Sequence, residues 1–160
     1  MDFSFNDTHR MIRETARKFA EERVAPGTID RDEKEEFPRE IVRELGDLGF
    51  MGMMVSEEWG GSGLDTVSYV LAIEEISRVD ASVGVIMSVN NSLVCYGLEK
   101  VGTAQQKEKY LRDLASGRKL GAFALSEPEA GSDASNQRTV AVPDGDAYVL
   151  NGTKNWITNG

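Results

Sequence analysis

The sequence is poor in the residue types that build disulfides and histidine-based sites. Its 160 residues include a single cysteine, Cys95, and a single histidine, His9. One cysteine cannot form an internal disulfide, and such scarcity is typical of proteins in a reducing compartment. With one histidine, a histidine-rich metal site or a Ser–His triad within the chain is improbable. The sequence therefore predicts neither a metal site nor a hydrolase triad.

Positive charge is also scarce. The chain has 18 lysines and arginines against 27 aspartates and glutamates, which gives a formal net charge of −9. This balance argues against nucleic acid or an anionic membrane surface as a partner. No apolar run looks long enough to span a bilayer, and the first residues lack the layout of a signal or transit peptide. We therefore expect a cytoplasmic protein without a membrane partner, or a protein of the mitochondrial matrix if the source is eukaryotic.

Helical periodicity dominates the first 115 or so residues, and 40% of the chain is hydrophobic, enough for a core. Beyond them, Asp-Gly and Asn-Gly pairs indicate hairpins. The fold class is predicted to be α+β, with an all-α helical domain at residues 1–118 and the start of an antiparallel β-domain at residues 119–160. Five helices are expected: from Asn6 or Asp7 to Pro26, from Phe37 to Gly49 with Leu48 in its apolar stripe, from Asp65 to Val79, from Val83 to Val101, and from Gln105 to Leu114. Asn6 or Asp7, Asp65 and Thr103 are predicted to cap the first, third and fifth of these helices.

Two connecting segments look structural. Thr28 to Glu36 is rich in charge and is interpreted as a solvated linker. The glycine-rich segment Glu57 to Gly63 contains no lysine and follows no clear strand, so it is interpreted as a turn and not as a phosphate-binding loop.

The fourth helix is apolar on nearly every side and is expected to be buried within a bundle. Asn90 and Asn91 lie inside it, and buried amides must find hydrogen-bond partners. Two interpretations remain open at this point. The two asparagines either link helices to one another or line a ligand cavity.

A loop from Ser126 to Asp133 follows the apolar run Leu120–Leu125, where we expect the sheet to begin. Gly131 and Ser132 offer a closely approachable backbone, exposed N–H groups and a hydroxyl, which suit a pyrophosphate. Trp156 is expected at the end of a later strand, where its ring could face a planar heterocycle. The alternatives are an ordinary turn, and a Trp156 that only packs on the hairpin or in the core.

Two motifs connect the chain to a known family. They are ALSEPEAGSD at Ala124–Asp133 and NGTKNWITN at Asn151–Asn159. With them, the whole chain resembles the N-terminal part of the acyl-CoA dehydrogenase family. The segment GVIMSVNNSL, from Gly84 to Leu93, resembles the short-chain, butyryl-type branch.

The resemblance implies FAD as the cofactor. Phe123, Leu125 and Ser126 would meet the flavin ring, with Ser126 hydrogen-bonded to its pyrimidine edge. Trp156 would pack beside the isoalloxazine, and Thr158 would donate a hydrogen bond near N5, the hydride acceptor. The cofactor supplies the redox chemistry, and the protein orients it.

The resemblance also implies a phosphate and substrate contact. Gly131 and Ser132 would meet the FAD pyrophosphate, and Ser132 would touch the pantetheine arm of an acyl-CoA substrate. The family usually has small residues after Asp133, where this chain has Ser135 and Asn136, so nothing beyond Ser132 is carried over.

The family fold has a helical domain, a middle β-domain and a C-terminal four-helix domain, in a homotetramer. Its reaction is α,β-dehydrogenation of an acyl-CoA thioester, with an electron-transfer flavoprotein as acceptor. The family's glutamate base lies in the C-terminal domain, so no catalytic residue is expected here, and neither Glu127 nor Glu129 replaces it. Since the sequence stops at Gly160, we expect a fragment that is inactive alone.

Two other functions stay open. One is a non-catalytic helical module that serves as an interaction piece. The other is a flavin monooxygenase or nitroalkane oxidase on the same scaffold, against which the butyryl-like segment counts.

Overall fold

A computed structural model describes residues 4–160, which separate into two compact units. The first unit ends at Gly121, and the second runs from Ala122 to Gly160. The first is helical and the second contains two strands, in agreement with the predicted α+β class. The domain boundary after residue 118 remains a prediction, because compactness alone does not define a domain.

Between residues 4 and 121, the first unit contains eight α-helical segments, three of which are extended by a wider, π-helical turn. In chain order the segments are α1 (Asp7–Phe19, continued by Ala20–Val24), α2 (Thr28–Glu33), α3 (Arg39–Asp47), α4 (Thr66–Val79), α5 (Ala81–Ser88, continued by Val89–Cys95), α6 (Tyr96–Val101), α7 (Ala104–Gln106, continued by Lys107–Leu111) and α8 (Arg112–Ala115).

Helix starts follow the predicted capping residues. Asn6 accepts from the backbone N–H of His9, whose ring in turn accepts from the Asn6 N–H, a reciprocal capping box. The Asp65 carboxylate accepts from the Ser68 N–H at 2.8 Å and starts α4. Thr103 starts α7 in the same way. These three predictions are confirmed because a cap depends on neighbours in sequence.

Residues 28–36 are mostly exposed, as predicted for a solvated linker, but Thr28–Glu33 form helix α2, and the Arg31 side chain is mostly buried. The guanidinium donates to the Val24 carbonyl at 2.6 Å and to Asp80 Oδ2 at 3.1 Å. A charged segment is thus tied to the ends of two other helices, which charge content alone did not reveal.

The larger core cluster of the helical unit lies among α1, α3, α4 and α5, together with Phe50, Met51 and Met53. A second cluster joins Val55 and Cys95 to Leu111, Leu114 and Ala115. Leu48 is 42% exposed, so its predicted place in the apolar stripe of α3 is wrong. Leu48 is the C-cap that follows the last residue of α3, Asp47, so it lies outside the helix whose stripe it was predicted to extend. The largest fully buried apolar side chains are Leu45, Met51, Met53, Ile76, Met87, Leu111, Val24, Val55 and Val83.

Asn90 and Asn91 link parts of the helical unit. Asn90 donates to the carbonyls of Met51 and Leu114 and accepts from the Gly121 N–H at 2.9 Å. The Asn91 side chain accepts from the Met53 N–H at 2.8 Å, and its amide donates to two carbonyls. The linking interpretation is therefore the one that the structure supports.

The prediction that no apolar segment is long enough to span a bilayer is wrong by length and composition. Among residues 4–160, one helix, Ala81–Val101, meets that requirement. This is weak evidence, because a core helix of a water-soluble protein meets the same requirement. The buried asparagine pair within it fits a core helix.

The glycine-rich segment is a turn, as predicted. A short 3₁₀ helix, Glu57–Trp59, ends at Gly60, whose φ of +81° is costly for other residues. A Cβ on Gly61 would come within 2.2 Å of the Val55 carbonyl oxygen. The structure therefore explains why glycine occupies both positions.

The second unit holds one antiparallel hairpin, β1 (Val140–Asp144) with β2 (Ala147–Asn151), in which Val142 pairs with Val149. Gly145 takes a φ of +58° in the connecting turn, as the Asp-Gly signal predicts. The expectation that the sheet begins near Leu120 is wrong: among residues 120–139 there is no strand, only an isolated bridge between Glu127 and Ala130.

Candidate functional site

The motif loop is built on a tight turn. Glu127 N–H donates to the Ala130 carbonyl at 3.0 Å, and Ala130 N–H donates back to the Glu127 carbonyl at 3.2 Å. Pro128 occupies the second position of this turn, where its fixed φ is favoured. The turn thus has a defined shape before Gly131 and Ser132 begin.

The Glu127 carboxylate lies at the centre of the unit. Glu127 is only 8% exposed. One of its oxygens accepts from the Arg138 N–H at 2.6 Å, and the other accepts from the Thr139 N–H at 3.0 Å and Lys154 Nζ at 2.8 Å. The Arg138 amide and the Lys154 ammonium, the two largest causes, lower the Glu127 pKa to about 2. Glu127 is therefore an ionised acceptor of three hydrogen bonds, and its lowered pKa does not suit a base that works near neutral pH.

The two motifs meet through hydrogen bonds that the carbonyls of Leu125 and Ser126 accept. Lys154 Nζ donates to the Leu125 carbonyl at 3.1 Å, and the Gln137 side-chain amide donates to the same oxygen. The Asn155 N–H donates to the Ser126 carbonyl at 3.0 Å. The residues directly before Trp156 are thus bonded to the segment that carries Leu125 and Ser126.

The predicted flavin-ring residues are largely exposed. Phe123 is 47% exposed, Leu125 39% and Trp156 94%. Ser126 and Thr158 are partly buried. Phe123, Leu125 and Trp156 therefore each expose apolar area that a bound planar group could remove from water.

The prediction that Trp156 lies at the end of a strand is wrong. Residues 152–160 contain no strand, and Trp156 lies in a bend with a φ of +57°. Its exposure also excludes the alternative that the ring packs on the hairpin or in the core. Asn159 also has a positive φ, of 66°. Two residues of this segment therefore adopt the left-handed conformation, which residues other than glycine seldom take.

Gly131 and Ser132 are exposed, and a Cβ built on Gly131 would meet nothing within 4 Å. Within residues 4–160 the backbone N–H groups of these two residues have no hydrogen-bond acceptor. After them, Asn136 donates to the Glu129 carbonyl at 3.0 Å and braces the loop. Open space and free amides are what an anionic group requires.

These features fit FAD, which combines a planar ring system with a pyrophosphate. The exposed apolar side chains suit the ring, and the free amides suit the anion. A separate hollow of about 210 Å³ lies beside the turn, and none of the seven predicted residues lines it. Its lining consists of Glu127, Pro128, Glu129, Arg138, Thr139, Gly152 and Thr153.

Sequence reasoning missed three residues that hold this arrangement together: Glu127, Gln137 and Lys154. Glu127 was considered only as a possible base. Its partners lie 11, 12 and 27 residues later, so no local pattern could have found them.

Other reactive groups do not form a second site. Among residues 4–160, no three His, Cys, Asp or Glu side chains are grouped as a metal site. Cys95 is fully buried, and burial raises the pKa of its thiol to about 12. A thiol of this kind is not a nucleophile near neutral pH.

Comparison with known proteins agrees with the motifs. Residues 6–118 match the family described as acyl-CoA dehydrogenase, N-terminal domain, and residues 122–160 match its middle domain. The chain is 47% identical over 160 residues to a short-chain specific acyl-CoA dehydrogenase of Clostridium acetobutylicum, covering all of this chain and 42% of the relative. It is 50% identical over 153 residues to the mouse mitochondrial short-chain specific enzyme, covering 96% of this chain and 37% of that protein.

Solved structures share the fold over the whole chain or nearly so. Butyryl-CoA dehydrogenase of Megasphaera elsdenii superimposes with a TM-score of 0.94 at 43% identity, covering 100% of this chain and 43% of that one. A chain from work on the electron transferring flavoprotein of Acidaminococcus fermentans gives 0.96 at 46% identity, covering 100% and 42%. A Mycobacterium smegmatis glutaryl-CoA dehydrogenase in complex with FADH2 gives 0.91 at 37% identity, covering 97% and 40%.

The sequence thus spans about two fifths of the length of these relatives. The N-terminal family description alone covers more than half of the 160 residues, and the middle-domain description covers nearly all of the rest. The chain belongs to the acyl-CoA dehydrogenase family.

Proposed function

We propose that this chain is part of an FAD-dependent dehydrogenase that oxidises short-chain acyl-CoA thioesters at the α,β bond. The observation that carries the proposal is the bonding of the Leu125–Ser126 backbone to Lys154 and Asn155, which joins the two motif segments expected to hold FAD. The short-chain substrate class is supported by the names of the relatives from Clostridium acetobutylicum and mouse, and by the butyryl-CoA dehydrogenase structure.

We assign the flavin ring to a face made of Phe123, Leu125 and Trp156. Phe123, Leu125 and Trp156 would cover the ring and exclude water, each losing exposed apolar area on binding. Ser126 would hydrogen-bond the pyrimidine edge, and Thr158 would donate near N5. Bound FAD would supply the acceptor for the substrate hydride.

We assign the pyrophosphate to Gly131 and Ser132. Their backbone N–H groups have no acceptor among the described residues, so an anion could bind without displacing a protein bond. The Ser132 hydroxyl would also reach the pantetheine arm of acyl-CoA. Charge-assisted bonds from backbone N–H groups are stronger than neutral ones, which favours an anion here.

We propose that the base for the substrate α-proton lies outside these 160 residues. Glu127 already accepts three hydrogen bonds and has a lowered pKa, and Glu129 is exposed and paired with Arg138. A general base needs a free lone pair within reach of the proton. The relatives are more than twice as long as this chain, which leaves room for such a residue in the longer protein.

Partners and location are proposed on the same grounds. An electron-transfer flavoprotein as acceptor is supported by the similarity to a chain from the Acidaminococcus fermentans work. A homotetramer is proposed for the longer protein. The cytoplasm is proposed for a bacterial source and the mitochondrial matrix for a eukaryotic one, in line with the mitochondrial relative from mouse.

A flavin titration tests the assignment of the ring. FAD added to the chain is expected to lose fluorescence as it binds, and Trp156→Ala is expected to weaken that binding at least fivefold. Tyr148→Ala is the matched control, since Tyr148 is an exposed aromatic residue of the same unit, 69% exposed, outside the proposed face. Equal effects of the two substitutions would contradict the assignment.

An activity assay tests the location of the base. Loaded with FAD, the chain is expected not to reduce a dye acceptor with butyryl-CoA. Steady turnover by the chain alone would show that a base lies within it.

A further inference from the structure

We propose that Glu127 is a positioning residue for the flavin-binding surface, fixing the Leu125–Ser126 backbone through Lys154. The inference rests on the proposed function, because it concerns the geometry of that same surface. It assigns Glu127 no contact with FAD or substrate.

The geometry shows how one carboxylate can hold three parts of the unit. Glu127 lies in the turn, its backbone donors come from Arg138 and Thr139 just before β1, and Lys154 comes from the segment after β2. The Lys154 ammonium donates to both Glu127 Oε1, at 2.8 Å, and the Leu125 carbonyl, at 3.1 Å. The orientation of the Leu125 carbonyl therefore depends on where Glu127 holds Lys154.

Burial makes the charge of Glu127 important. The carboxylate side chain is 5% exposed, and that of Lys154 is 24% exposed. A glutamine has almost the same size but only one acceptor oxygen, and its NH₂ would face a donor, either a backbone N–H or the Lys154 ammonium. A buried donor left without an acceptor destabilises the local arrangement, and little water can replace it here.

Glu129 offers a matched comparison in the same turn. It is also a glutamate with a cationic partner, Arg138, but its side chain is 54% exposed and accepts no backbone N–H among the described residues. Exposed ion pairs contribute little. If charge in the turn were all that mattered, Glu127 and Glu129 would behave alike.

The experiment compares Glu127→Gln and Glu129→Gln in the 160-residue chain. The FAD dissociation constant and the visible spectrum of flavin at saturation are measured, with circular dichroism melting of the helices as a check of folding. Glu127→Gln is expected to weaken FAD binding at least tenfold and to alter the flavin spectrum at saturation. Glu129→Gln is expected to stay within twofold and to keep the wild-type spectrum.

Lys154 provides a second arm. Lys154→Met is expected to reproduce the effect of Glu127→Gln, and Lys154→Arg to restore most of the affinity. An unchanged spectrum in saturated Glu127→Gln, or an equal loss in Glu129→Gln, would overturn the proposal.

Amide exchange separates this inference from the cofactor assignment. The Asn155 N–H donates to the Ser126 carbonyl and does not contact Glu127, so it reports the position of the Leu125–Ser126 backbone. Faster exchange at Asn155 is expected in Glu127→Gln but not in Glu129→Gln. If the wild-type chain binds no FAD, the cofactor assignment fails for this chain, and the positioning role stands or falls on this exchange measurement.

Discussion

The helical unit and the second unit, residues 122–160, bury opposite kinds of side chain in their interiors. In the helical unit the buried side chains are mainly apolar and include Leu45, Ile76 and Met87. Among residues 122–160 only Glu127 and Ala130 are buried, while Phe123 and Trp156 are exposed. One unit places apolar groups inside, and the other places a carboxylate inside with apolar groups outside.

This difference bears on function. The hydrophobic effect scales with the apolar area removed from water, so a unit whose apolar side chains stay exposed gains little stability from folding alone. Such a surface becomes favourable when a ligand or another part of a longer protein covers it. In a member of a flavin-dependent family, we interpret the exposed face as the part of the unit that binding completes.

Truncation of a leucine in each unit gives the largest expected contrast. Leu45→Ala removes a fully buried side chain and is expected to lower the free energy of unfolding by about 2–5 kcal/mol, because a cavity is added to the lost burial. Leu150→Ala removes a side chain that is 71% exposed, and it is expected to change the free energy of unfolding by less than about 0.5 kcal/mol. Urea denaturation followed by circular dichroism measures both, and similar losses would show that the second unit has an apolar core after all.

The next effect concerns Glu75, the most deeply buried carboxylate among residues 4–121. It accepts from Arg17 at 2.7 Å and from Arg13 at 2.8 Å, which joins α1 to α4. These hydrogen bonds, of which the one from Arg17 has the largest effect, lower the Glu75 pKa from 4.5 to about 2. A lowered pKa in the folded state stabilises the protein above pH 4.5, and the contribution disappears as the pH falls towards 2.

Glu75→Gln is therefore expected to lower the free energy of unfolding by roughly 3 kcal/mol at pH 7. The difference from the wild type should shrink between pH 5 and pH 3. Glu74→Gln is the control, since the side chain of Glu74 is 60% exposed and lies 4.0 Å from Arg13. Urea titrations at several pH values measure this, and a pH-independent difference would contradict the ion-pair account.

A smaller effect is expected from the asparagine links. Asn91→Ala leaves the buried Met53 N–H and the Phe50 carbonyl without a partner, which is expected to cost about 1–3 kcal/mol. Asn151→Ala, on the exposed hairpin, is expected to change stability by less than about 0.5 kcal/mol. Thermal melts of the two variants decide, and a neutral Asn91→Ala would mean that water or a shifted side chain satisfies these groups.

The helical unit was more predictable from sequence than the second unit. Caps at Asn6, Asp65 and Thr103 depend on residues three positions away, so residue type and spacing suffice to predict them. Helix α2 was not predicted. Its Arg31 reaches Val24 and also Asp80, which is 49 residues away in sequence, and residue types alone do not show such a contact.

The candidate site divides in the same way. The motifs and the resemblance predicted seven FAD-binding residues, and their roles stay predictions. The hairpin turn at Gly145 followed from its local sequence. The role of Glu127 did not, because its donors are 11 to 27 residues away and only the folded chain brings them together. The bend at Trp156 also escaped prediction, since a positive φ at tryptophan has no residue-type signal.

Amide exchange gives the finest test of the contrast between the two units. Residues 137–160 are expected to be the least protected of the chain, because both strands are exposed and each has a free edge. The Arg138 and Thr139 N–H groups should be exceptions, since the nearly buried Glu127 carboxylate accepts from both. Exchange that is slow at these two positions and fast at Tyr148 and Leu150 would show that a charged acceptor stabilises this unit locally. Uniform protection along the chain would instead place the second unit within the same cooperative structure as the helices.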